Sequence, residues 1–394
     1  MRPAVVRAAW GPDGERMPDT MVVVVGGGAS GLSAAAALKR KGVDVVVLER
    51  DPGIGGTWAR RYDRLHLHTV RGFSGLAHYG IPRRYPSYLS RDQFVEYLRE
   101  YADHFGLQVM TDCQVRRIAK DPDTGRWQTV TLGGAIWRSK AVVVATGQYR
   151  EPIPPRWPGA DTFRGELTHS VDYHRPAPYA GKRVLVVGAG NSGAEIATDL
   201  AEHGASFTAL SIRTAPPIVP RDPFGMPVQR TGIMLGVLPT RIADTIGRLT
   251  SRIVLGDLTH YNVPRPQWGP FSARRVPVID VGLVAALKRG LVKIRPALER
   301  LTESNAVFAD GSSEPYDAII AATGFSAGLE NLIDGDSVLD EVGDPVATSG
   351  SPTALPGLYF IGFSHSLRGQ LYEANRASRR LARNVGSYLS QQGN

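Results

Sequence analysis

The sequence predicts an α/β protein with two three-layer domains, each built around a parallel sheet, the second inserted into the first. Two glycine-rich turns, at residues 26–31 and 188–193, both read G-x-G-x-x-G. Each follows an apolar run of strand length and precedes a segment that predicts a helix. Each half of the chain closes with an apolar strand ending in Ala-Thr-Gly, at residues 145–147 and 322–324. Such continuous apolar strands are buried on both faces of a parallel sheet.

The spacing of each turn is typical of a Rossmann-like dinucleotide site. The first glycine permits the tight turn, the second lets the backbone approach a pyrophosphate, and the third lets helix and strand pack closely. The small Thr-Gly pairs of the closing strands also let the backbone approach a cofactor. Two such turns imply two dinucleotides, between which a protein usually passes electrons. We therefore expect cofactor binding by Gly26, Gly28, Ser30, Gly31, Thr146, Gly147, Gly188, Gly190, Gly193, Thr323 and Gly324.

The charged residue after the second strand of each unit distinguishes the two cofactors. Glu49 lies 18 residues after Gly31, where an acid accepts hydrogen bonds from a ribose 2′-hydroxyl. Arg213 lies 20 residues after Gly193, where a cation suits a 2′-phosphate. We therefore assign FAD to the first site and NADPH to the second. The alternatives are an exposed strand-end charge for Glu49 and an ordinary surface cation for Arg213.

The elements of the first unit follow from apolar runs and turn signals. Gly42 is a candidate C-cap, and Gly133-Gly134 predicts a β-hairpin. After the second unit the chain returns to complete the first domain. The elements are strand 21–25, helix 30–41, strand 43–48, hairpin strands 127–132 and 135–140, closing strand 141–144, strand 357–362 and a helix from Gln370.

The second unit repeats the plan with a long insertion at residues 214–278. Apolar residues recur at helical spacing within 233–255, which predicts a helix packed against the core. The alternatives for this helix are a wall of the substrate pocket or a lid. The other elements are strand 184–187, helix 191–204, strand 206–212, and strands 293–296, 306–309 and 318–321.

These elements divide the chain into domains. We expect residues 1–20 to be a flexible leader, because they are polar and lack the apolar core of a secretory signal. Residues 21–163 and 325–394 then form the FAD-binding domain, and residues 164–324 form the NADPH-binding domain. The first boundary lies in the stiff connector 148–163, which contains four prolines.

Composition restricts the classes of partner. Hydrophobic residues make up 42% and charged residues 21% of the 394 residues, as in ordinary globular proteins. No apolar stretch reaches the roughly 18 residues of a membrane helix. The net charge of +9 is dispersed, without the basic stripe or known module of a nucleic-acid-binding protein. We expect a small-molecule substrate, no nucleic acid, no membrane span and no metal. The oligomeric state stays open, with a homodimer among the expected assemblies.

The cysteine content indicates the redox compartment. Cys113 is the only cysteine, so the chain cannot form an intramolecular disulfide, which predicts the reducing environment of the cytoplasm. It also excludes a reductase that relays electrons through a cysteine pair. Because Cys113 lies in a predicted strand over residues 107–115, away from both turns, we expect a buried small hydrophobe.

A further pattern resembles a known family. Phe163, Gly165, His169 and Tyr173 fit F-x-G-x-x-x-H-x-x-x-Y, which resembles the fingerprint of flavin-containing monooxygenases. Tyr173 fits that group better than the Baeyer–Villiger monooxygenases, which usually carry Trp or Pro there. Residues 322–325, Ala-Thr-Gly-Phe, resemble the second element of the family. The resemblance implies glutathione-reductase-like domains.

The resemblance is most specific to the YUCCA-type branch, the indole-3-pyruvate monooxygenases of auxin synthesis. It covers about residues 21 to 385. The 39 arginines and 7 lysines look bacterial, so we expect a bacterial member and do not assume the plant substrate. The stretches that look like this branch are residues 62–68, 255–258, 265–270 and 277–282.

The resemblance implies further cofactor contacts. His169 would hold the connector near NADP⁺ as a structural residue. The helix from Gln370 would begin beside the isoalloxazine, where its N-terminus stabilises negative charge on reduced flavin. Contacts with the NADPH phosphates are implied for Asn191 and Ser192. Contacts with FAD are implied for Gly56, Thr57, Trp58, Gly362 and Phe363.

The implied activity is an FAD- and NADPH-dependent monooxygenation. NADPH reduces the flavin, reduced flavin adds O₂ at C4a as a (hydro)peroxyflavin, and one oxygen atom enters a small organic substrate. A 2-oxo acid such as indole-3-pyruvate would be attacked at its ketone and lose CO₂. The alternatives are N- or S-oxygenation or Baeyer–Villiger oxidation of a small metabolite. From other classes, an electron-transfer reductase and a redox sensor also stay open.

No residue is assigned to oxygen chemistry. Many family members carry an Asn shortly after the position of Leu67. This chain has His68-Thr69-Val70 there, and the YUCCA-type branch also lacks that Asn. His66 and His68 alternate with leucines, so on a strand both would share one face. They are candidate catalytic residues, or else a surface or interface pair. Candidates for binding an acidic substrate are Arg221, Arg265 and Arg274.

Overall fold

The computed structural model describes residues 5–7, 19–272, 276–364 and 366–392. Within these residues twenty strands form five sheets. The strands are β1 Val5–Arg7, β2 Thr20–Val25, β3 Val45–Leu48, β4 Gln108–Thr111, β5 Val115–Lys120, β6 Trp127–Thr131, β7 Ile136–Val144, β8 Glu151–Pro152, β9 Glu166–His169, β10 Arg183–Val187, β11 Phe207–Ser211, β12 Ile218–Pro220, β13 Val278–Asp280, β14 Val292–Arg295, β15 Leu298–Leu301, β16 Asn305–Phe308, β17 Ser313–Pro315, β18 Ala318–Ala321, β19 Phe325–Ser326 and β20 Leu358–Phe360.

The same residues contain eight α-helices and five short 3₁₀ helices. The α-helices are α1 Ala29–Lys39, α2 Gly56–Ala59, α3 Arg91–Phe105, α4 Asn191–Glu202, α5 Val228–Leu235, α6 Thr240–Leu255, α7 Leu283–Lys288 and α8 Gln370–Gln391. The 3₁₀ helices are Arg71–Phe73, Ala177–Tyr179, Pro223–Gly225, Leu258–Tyr261 and Asp336–Val338. None of the described helices has the length and apolar character needed to cross a bilayer.

The first sheet has the strand order β1-β4-β3-β2-β7-β6-β5, and β20 also pairs with β7. The strands are parallel except for the antiparallel run β5-β6-β7. Helices α1, α3 and α8 cover one face, where Leu32, Tyr97 and Leu381 are fully buried. Trp127 and Phe360 fill the opposite face. The predicted hairpin is confirmed, and its second strand and the closing strand are one continuous strand, β7.

The second sheet, β14-β11-β10-β18-β9, is parallel throughout. Helices α4 and α7 pack on one face, around Ile196, Leu200 and Leu287. The antiparallel sheet β15-β16-β17 covers the other face, where Phe308 is fully buried. The second sheet therefore sits between two covering layers, whereas the first has helices on one face and a segment with Leu329 and Ile333 on the other. Strands β9, β15 and β17 are additions that the sequence analysis missed.

The two chain passages between the domains run side by side. Strand β8, in the connector, pairs with β19, just after the second closing strand, in antiparallel register. The Ile153 N–H donates to the Gly324 carbonyl at 3.0 Å, and the Thr323 hydroxyl donates to the Ile153 carbonyl at 2.7 Å. The domain boundaries near residues 163 and 324 stay a prediction.

Two stretches of the first domain differ from the predictions. Val5–Arg7 pair in parallel with β4, so this part of the expected leader is an edge strand, whereas residues 1–4 and 8–18 lie outside the described residues. Cys113 lies between β4 and β5 and not within a strand, because Asp112 adopts a left-handed φ of 55°. Its N–H donates to the Glu49 carbonyl at 2.8 Å, so Cys113 is near the first turn. It is buried as expected, and burial raises the pKa of its thiol to about 12.

The insertion differs more strongly. The expected helix over residues 233–255 is two helices, α5 and α6, separated between Gly236 and Pro239. Proline lacks a backbone donor and disfavours helical geometry in the residue before it. The expected core-facing side chains are 37% to 62% exposed, and Ala243, Asp244 and Leu255 are buried instead. The exposed residues, which we call the α6 stripe, are Leu238, Ile242, Ile246, Leu249 and Ile253.

Candidate active site

The two glycine-rich turns share one geometry at the carboxyl ends of β2 and β10. A Cβ atom on Gly31 would lie 1.9 Å from the Gly26 carbonyl oxygen, and one on Gly193 would lie 1.8 Å from that of Gly188. Helix and strand can therefore meet only if both positions are glycine. A Cβ atom on Gly28 or on its counterpart Gly190 would meet nothing within 4 Å.

Open space therefore lies at the start of α1 and of α4. Neither N-cap residue forms a side-chain capping bond, so the N–H groups of the first turn remain available. Free N–H groups and the positive end of the helix dipole form a cradle for an anion. This cradle, present twice, fits the pyrophosphate groups of two dinucleotides.

The acid and the cation expected beside the two turns occupy different environments. Glu49 is 7% exposed and accepts hydrogen bonds from the N–H groups of Gly27 at 2.6 Å and Asp51 at 2.9 Å. Burial raises the pKa of Glu49, although these N–H groups act in the opposite direction. Arg213 follows β11, is exposed, and contacts no described residue through a hydrogen bond or ion pair. The fixed carboxylate suits ribose hydroxyls and the free guanidinium suits a phosphate.

Helix α2 brings Gly56, Thr57 and Trp58 next to the first turn. A Cβ atom on Gly56 would lie 2.1 Å from Asp51 Oδ2, a buried oxygen without a hydrogen-bond partner in the described structure. Trp58 packs edge-on against Phe94, with ring centroids 4.7 Å apart, and Thr57 is exposed. The backbone of Gly56 therefore packs directly against the Asp51 carboxylate, whose Oδ2 accepts no hydrogen bond in the described structure.

Several buried polar atoms without partners lie at the carboxyl ends of β7 and β9. In proteins such buried atoms are nearly always paired, so unpaired ones at the ends of these two strands suit a ligand with matching donors and acceptors. Gly147 and Gly324, with φ of 77° and 96°, border open space in the same region. The unpaired atoms are Thr146 Oγ1, Gln148 Oε1 and Nε2, His169 Nε2 and Ser170 Oγ.

His169 ends β9 and is 8% exposed. Its Nδ1 accepts a hydrogen bond from the Val171 N–H at 3.1 Å, so the proton of the neutral ring is on Nε2. Burial lowers the pKa of this imidazole and favours the neutral form. Its ring lies edge-on to Phe325 at 5.2 Å. The ring therefore carries an N–H donor on Nε2, and hydrogen bonding with the Gly324 backbone acts to raise its pKa against the effect of burial.

Asn191 and Ser192 begin α4 as predicted, but their side chains contact other parts of the protein. The Asn191 amide donates to the Pro277 carbonyl at 3.1 Å and accepts from the Ile279 N–H at 2.9 Å. Ser192 lies beside the hydroxyl of Tyr62, in the first domain. Their backbone N–H groups stay at the helix terminus, so a phosphate contact through the backbone remains a prediction.

The two candidate catalytic histidines lie outside the assigned strands, although His66 forms an isolated antiparallel bridge with Ser90. His66 is exposed, and its Nδ1 lies 2.7 Å from the Arg64 carbonyl oxygen. His68 Nε2 lies 2.6 Å from Oε1 of Glu195, a residue of α4 that is 3% exposed. His68 is thus an interface residue between the domains, which is the alternative reading of this pair.

The expected flavin side of the cleft is formed by the ends of several elements. A Cβ atom on Gly362 would lie 2.6 Å from Ser30 Oγ, so the end of β20 reaches the start of α1. Phe363 is 6% exposed and packs against Phe360, so its side chain belongs to the core. Gln370 begins α8 with a buried Nε2 atom that has no partner in the described structure.

Comparison with known proteins identifies the family. The family model described as FMO-like, flavin-binding monooxygenase-like, matches residues 19–341. The chain belongs to this family. The indole-3-pyruvate monooxygenase YUCCA1 of Oryza sativa subsp. japonica is 36% identical over 352 residues, 87% of this chain and 86% of the relative. YUCCA6 of Arabidopsis thaliana is 35% identical over 369 residues, 90% and 88%.

Solved structures agree with this membership. A flavin-containing monooxygenase from Stenotrophomonas maltophilia superposes with a TM-score of 0.72 at 27% identity, covering 95% of this chain and all (100%) of that one. A steroid monooxygenase bound to NADP gives 0.75 at 20% identity, with 96% and 87% covered, a likeness of fold alone. These findings confirm the predicted two-domain Rossmann-type fold and the prediction of a flavoprotein monooxygenase. They also support FAD and NADPH as its cofactors.

Sequence analysis missed other residues of this flavin-binding monooxygenase. Gln148 and Ser170 directly follow a predicted Thr-Gly pair and the predicted His169, so their position was a usable signal. Gln229 gave no signal. It is 1% exposed, accepts from the Val70 N–H at 3.0 Å and donates to the Arg368 carbonyl at 2.7 Å, joining the insertion to two loops of the first domain.

Of the arginines expected to attract an acidic substrate, Arg221 is engaged by neighbouring residues. Arg221 donates to Asp222 at 3.0 Å, and its guanidinium stacks on Tyr88 at 4.4 Å. Arg265 is exposed, and Arg274 lies outside the described residues.

Proposed function

We propose that this monooxygenase uses FAD, NADPH and O₂ to insert one oxygen atom into a 2-oxo acid, with indole-3-pyruvate as the model substrate and loss of CO₂. The observation that carries the substrate class is the identity with indole-3-pyruvate monooxygenases over 87% to 91% of the chain. Two observations support the cofactors: the open space beside Gly28 and Gly190 at the two helix N-termini, and the unpaired polar atoms at the ends of β7 and β9.

The chain's own residues would bind, orient and exclude water. The turn N–H groups would hold the two pyrophosphates, and Arg213 would select the 2′-phosphate of NADPH. His169, in its neutral form, would donate a hydrogen bond from Nε2–H to a ligand acceptor. Gln229 would close the flavin side by fixing the loops at Val70 and Arg368. Bound FAD, reduced by NADPH, supplies the activation of O₂.

The decisive experiment mixes NADPH-reduced protein rapidly with O₂ and follows the flavin absorbance, with and without indole-3-pyruvate. We expect a transient spectrum distinct from reduced and oxidised flavin, and indole-3-acetate with CO₂ in amounts matching the NADPH consumed. A competing amine and thioether test oxygenation at N and S. If flavin returns directly to the oxidised form with only peroxide formed, the chain is a reductase or a sensor and the proposal fails.

We further infer a cytoplasmic homodimer. A single buried cysteine suits a reducing compartment. The α6 stripe exposes five apolar side chains in one row, and contiguous apolar surface on this scale is typical of an interface. Light scattering after gel filtration would give twice the chain mass of 42.6 kDa, and Leu249→Ser with Ile253→Ser would reduce it to one chain. A wild-type monomer would contradict the homodimer.

A further inference from the structure

A cavity of about 710 Å³ lies beside α8 and includes none of the predicted cofactor residues. One wall is the loop over residues 72–80, with Phe73 and Tyr79 as its aromatic members. The other wall is the middle of α8. Cavities that bind small molecules commonly enclose about 300–1,000 Å³, so this one is large enough for such a ligand.

Four arginines of α8 line this cavity. Arg376, Arg379, Arg380 and Arg383 follow the spacing i, i+3, i+4, i+7, which places them on one helix face. All four are exposed, and none forms an ion pair or hydrogen bond with a described residue. Like charges at this spacing repel each other. The positive charge of the cluster is therefore not neutralised by an ion pair with any described residue.

Many other exposed arginines of the chain do have acidic partners. Arg117 pairs with Asp334, and Arg164 Nη2 lies 2.6 Å from Glu303 Oε2. Other exposed arginines, such as Arg213, also lack such a partner, so what distinguishes the α8 arginines is that four of them line one cavity.

The opposite wall lies within the positive potential of these arginines. His78 lines the cavity in a left-handed conformation, with φ of 67°. Desolvation and the charges of Arg379 and Arg40 lower the pKa of its imidazole. The imidazole therefore favours its neutral form, and the positive charge of the cavity comes from the arginines.

The cavity is held in shape by hydrogen bonds. Asn375 of α8 donates to the Gly75 carbonyl at 2.7 Å. From α3, the Tyr97 hydroxyl donates to the Tyr79 carbonyl at 2.7 Å, and the Tyr101 hydroxyl donates to the Ala77 carbonyl at 2.6 Å. Because the loop is fixed to both helices, a ligand need not order it on binding.

We propose that this cavity is a second anion site, which binds a small ligand carrying two or more phosphate or carboxylate groups. Planar guanidinium groups bind both kinds of anion through paired hydrogen bonds. The site is separate from the two turns, so it neither requires nor replaces a nucleotide cofactor.

The test is calorimetric titration of the FAD-bound protein with pyrophosphate, tripolyphosphate and citrate at constant ionic strength and saturating NADP⁺. We expect saturable binding of at least one probe, weakened at least 10-fold by Arg379→Gln with Arg380→Gln. Binding of the phosphates alone would identify a phosphorylated ligand, and binding of citrate alone a polycarboxylate.

The matched control is Arg241→Gln with Arg248→Gln on α6, which removes the same charge from two exposed arginines that also lack partners among described residues. It should keep the affinity within 2-fold. An equal loss in both double variants would reduce the effect to general charge attraction and overturn the proposal. No saturable binding of any probe, or binding abolished by NADP⁺, would overturn it as well.

Discussion

Within each turn, the second and third glycines have different roles. Gly31 and Gly193 are packing glycines, because an added Cβ atom would overlap a carbonyl oxygen of the same turn. Gly28 and Gly190 border open space, so an added Cβ atom would meet no protein atom within 4 Å. Their role is to leave room for a ligand.

A pair of substitutions separates these roles. Gly31→Ala should lower the free energy of unfolding by at least about 2 kcal/mol, because the clash forces helix and strand apart. Gly28→Ala should leave it within about 1 kcal/mol and yet reduce the FAD content at least 10-fold. Urea unfolding and the ratio of flavin to protein absorbance measure the two effects. Full FAD content in Gly28→Ala would contradict a pyrophosphate at this position.

Arg213 should select NADPH over NADH. Removing a hydrogen-bonding charge costs about 1.5–3 kcal/mol, so Arg213→Ser should weaken NADPH binding about 10- to 100-fold. NADH binding should change less than 2-fold, because it lacks the 2′-phosphate. Anaerobic titrations of flavin reduction with each cofactor measure this. Equal losses of affinity for NADPH and NADH would show that the Arg213 guanidinium does not bind the 2′-phosphate.

His169 should make stability depend on pH. Its folded pKa lies below the ordinary value near 6.5, so the unfolded chain takes up a proton first as the pH falls. The free energy of unfolding should therefore decrease as the pH drops below about 6.5. The free energy of unfolding of His169→Asn should decrease less over the same pH range. Part of the decrease should remain, because the pKa of His78 is also lowered. Identical pH profiles of variant and wild type would refute the assignment.

At the scale of elements, Asn191 joins the start of α4 to β13 of the insertion through two hydrogen bonds. Asn191→Ala removes both and should lower the free energy of unfolding by about 1–3 kcal/mol. Asn191→Asp keeps the acceptor for the Ile279 N–H and should lose less. Urea titrations of the two variants check this order. An unchanged stability in Asn191→Ala would show that these bonds contribute little.

Helix α6 shows what periodicity can and cannot predict. Apolar residues at helical spacing correctly predicted a helix, because one face repeats every 3.6 residues. The pattern does not state what covers that face. Only the packing of Ala243 and Leu255 against the insertion reveals that the α6 stripe points outward.

At the scale of the whole molecule, the bond between His68 and Glu195 joins the two domains. A double-mutant cycle with His68→Ala and Glu195→Gln should give a coupling free energy of about 1.5–3 kcal/mol, as for a hydrogen bond to a charged group. The measurement is unfolding in urea of the wild type, both single variants and the double variant. Additive effects would mean that the two side chains act independently.

Fold and site were predictable to different extents. The turns, the closing strands and Glu49 were found because each signal lies within about 25 residues of sequence. The unpaired atoms of Gln148 and Ser170 could be recognised only once the folded structure showed which buried polar atoms lack partners. Gln229 was missed because its partners at Val70 and Arg368 are distant in sequence.

The sequence by itself determined two dinucleotide turns, the order of their strands and helices, and the family, because these depend on local spacing and on steric limits within each turn. The tertiary structure alone decided that His68 meets Glu195, that the α6 stripe faces outward, and that four arginines of α8 line a cavity without acidic partners. These features depend on which distant segments fold together, and no periodic pattern records that.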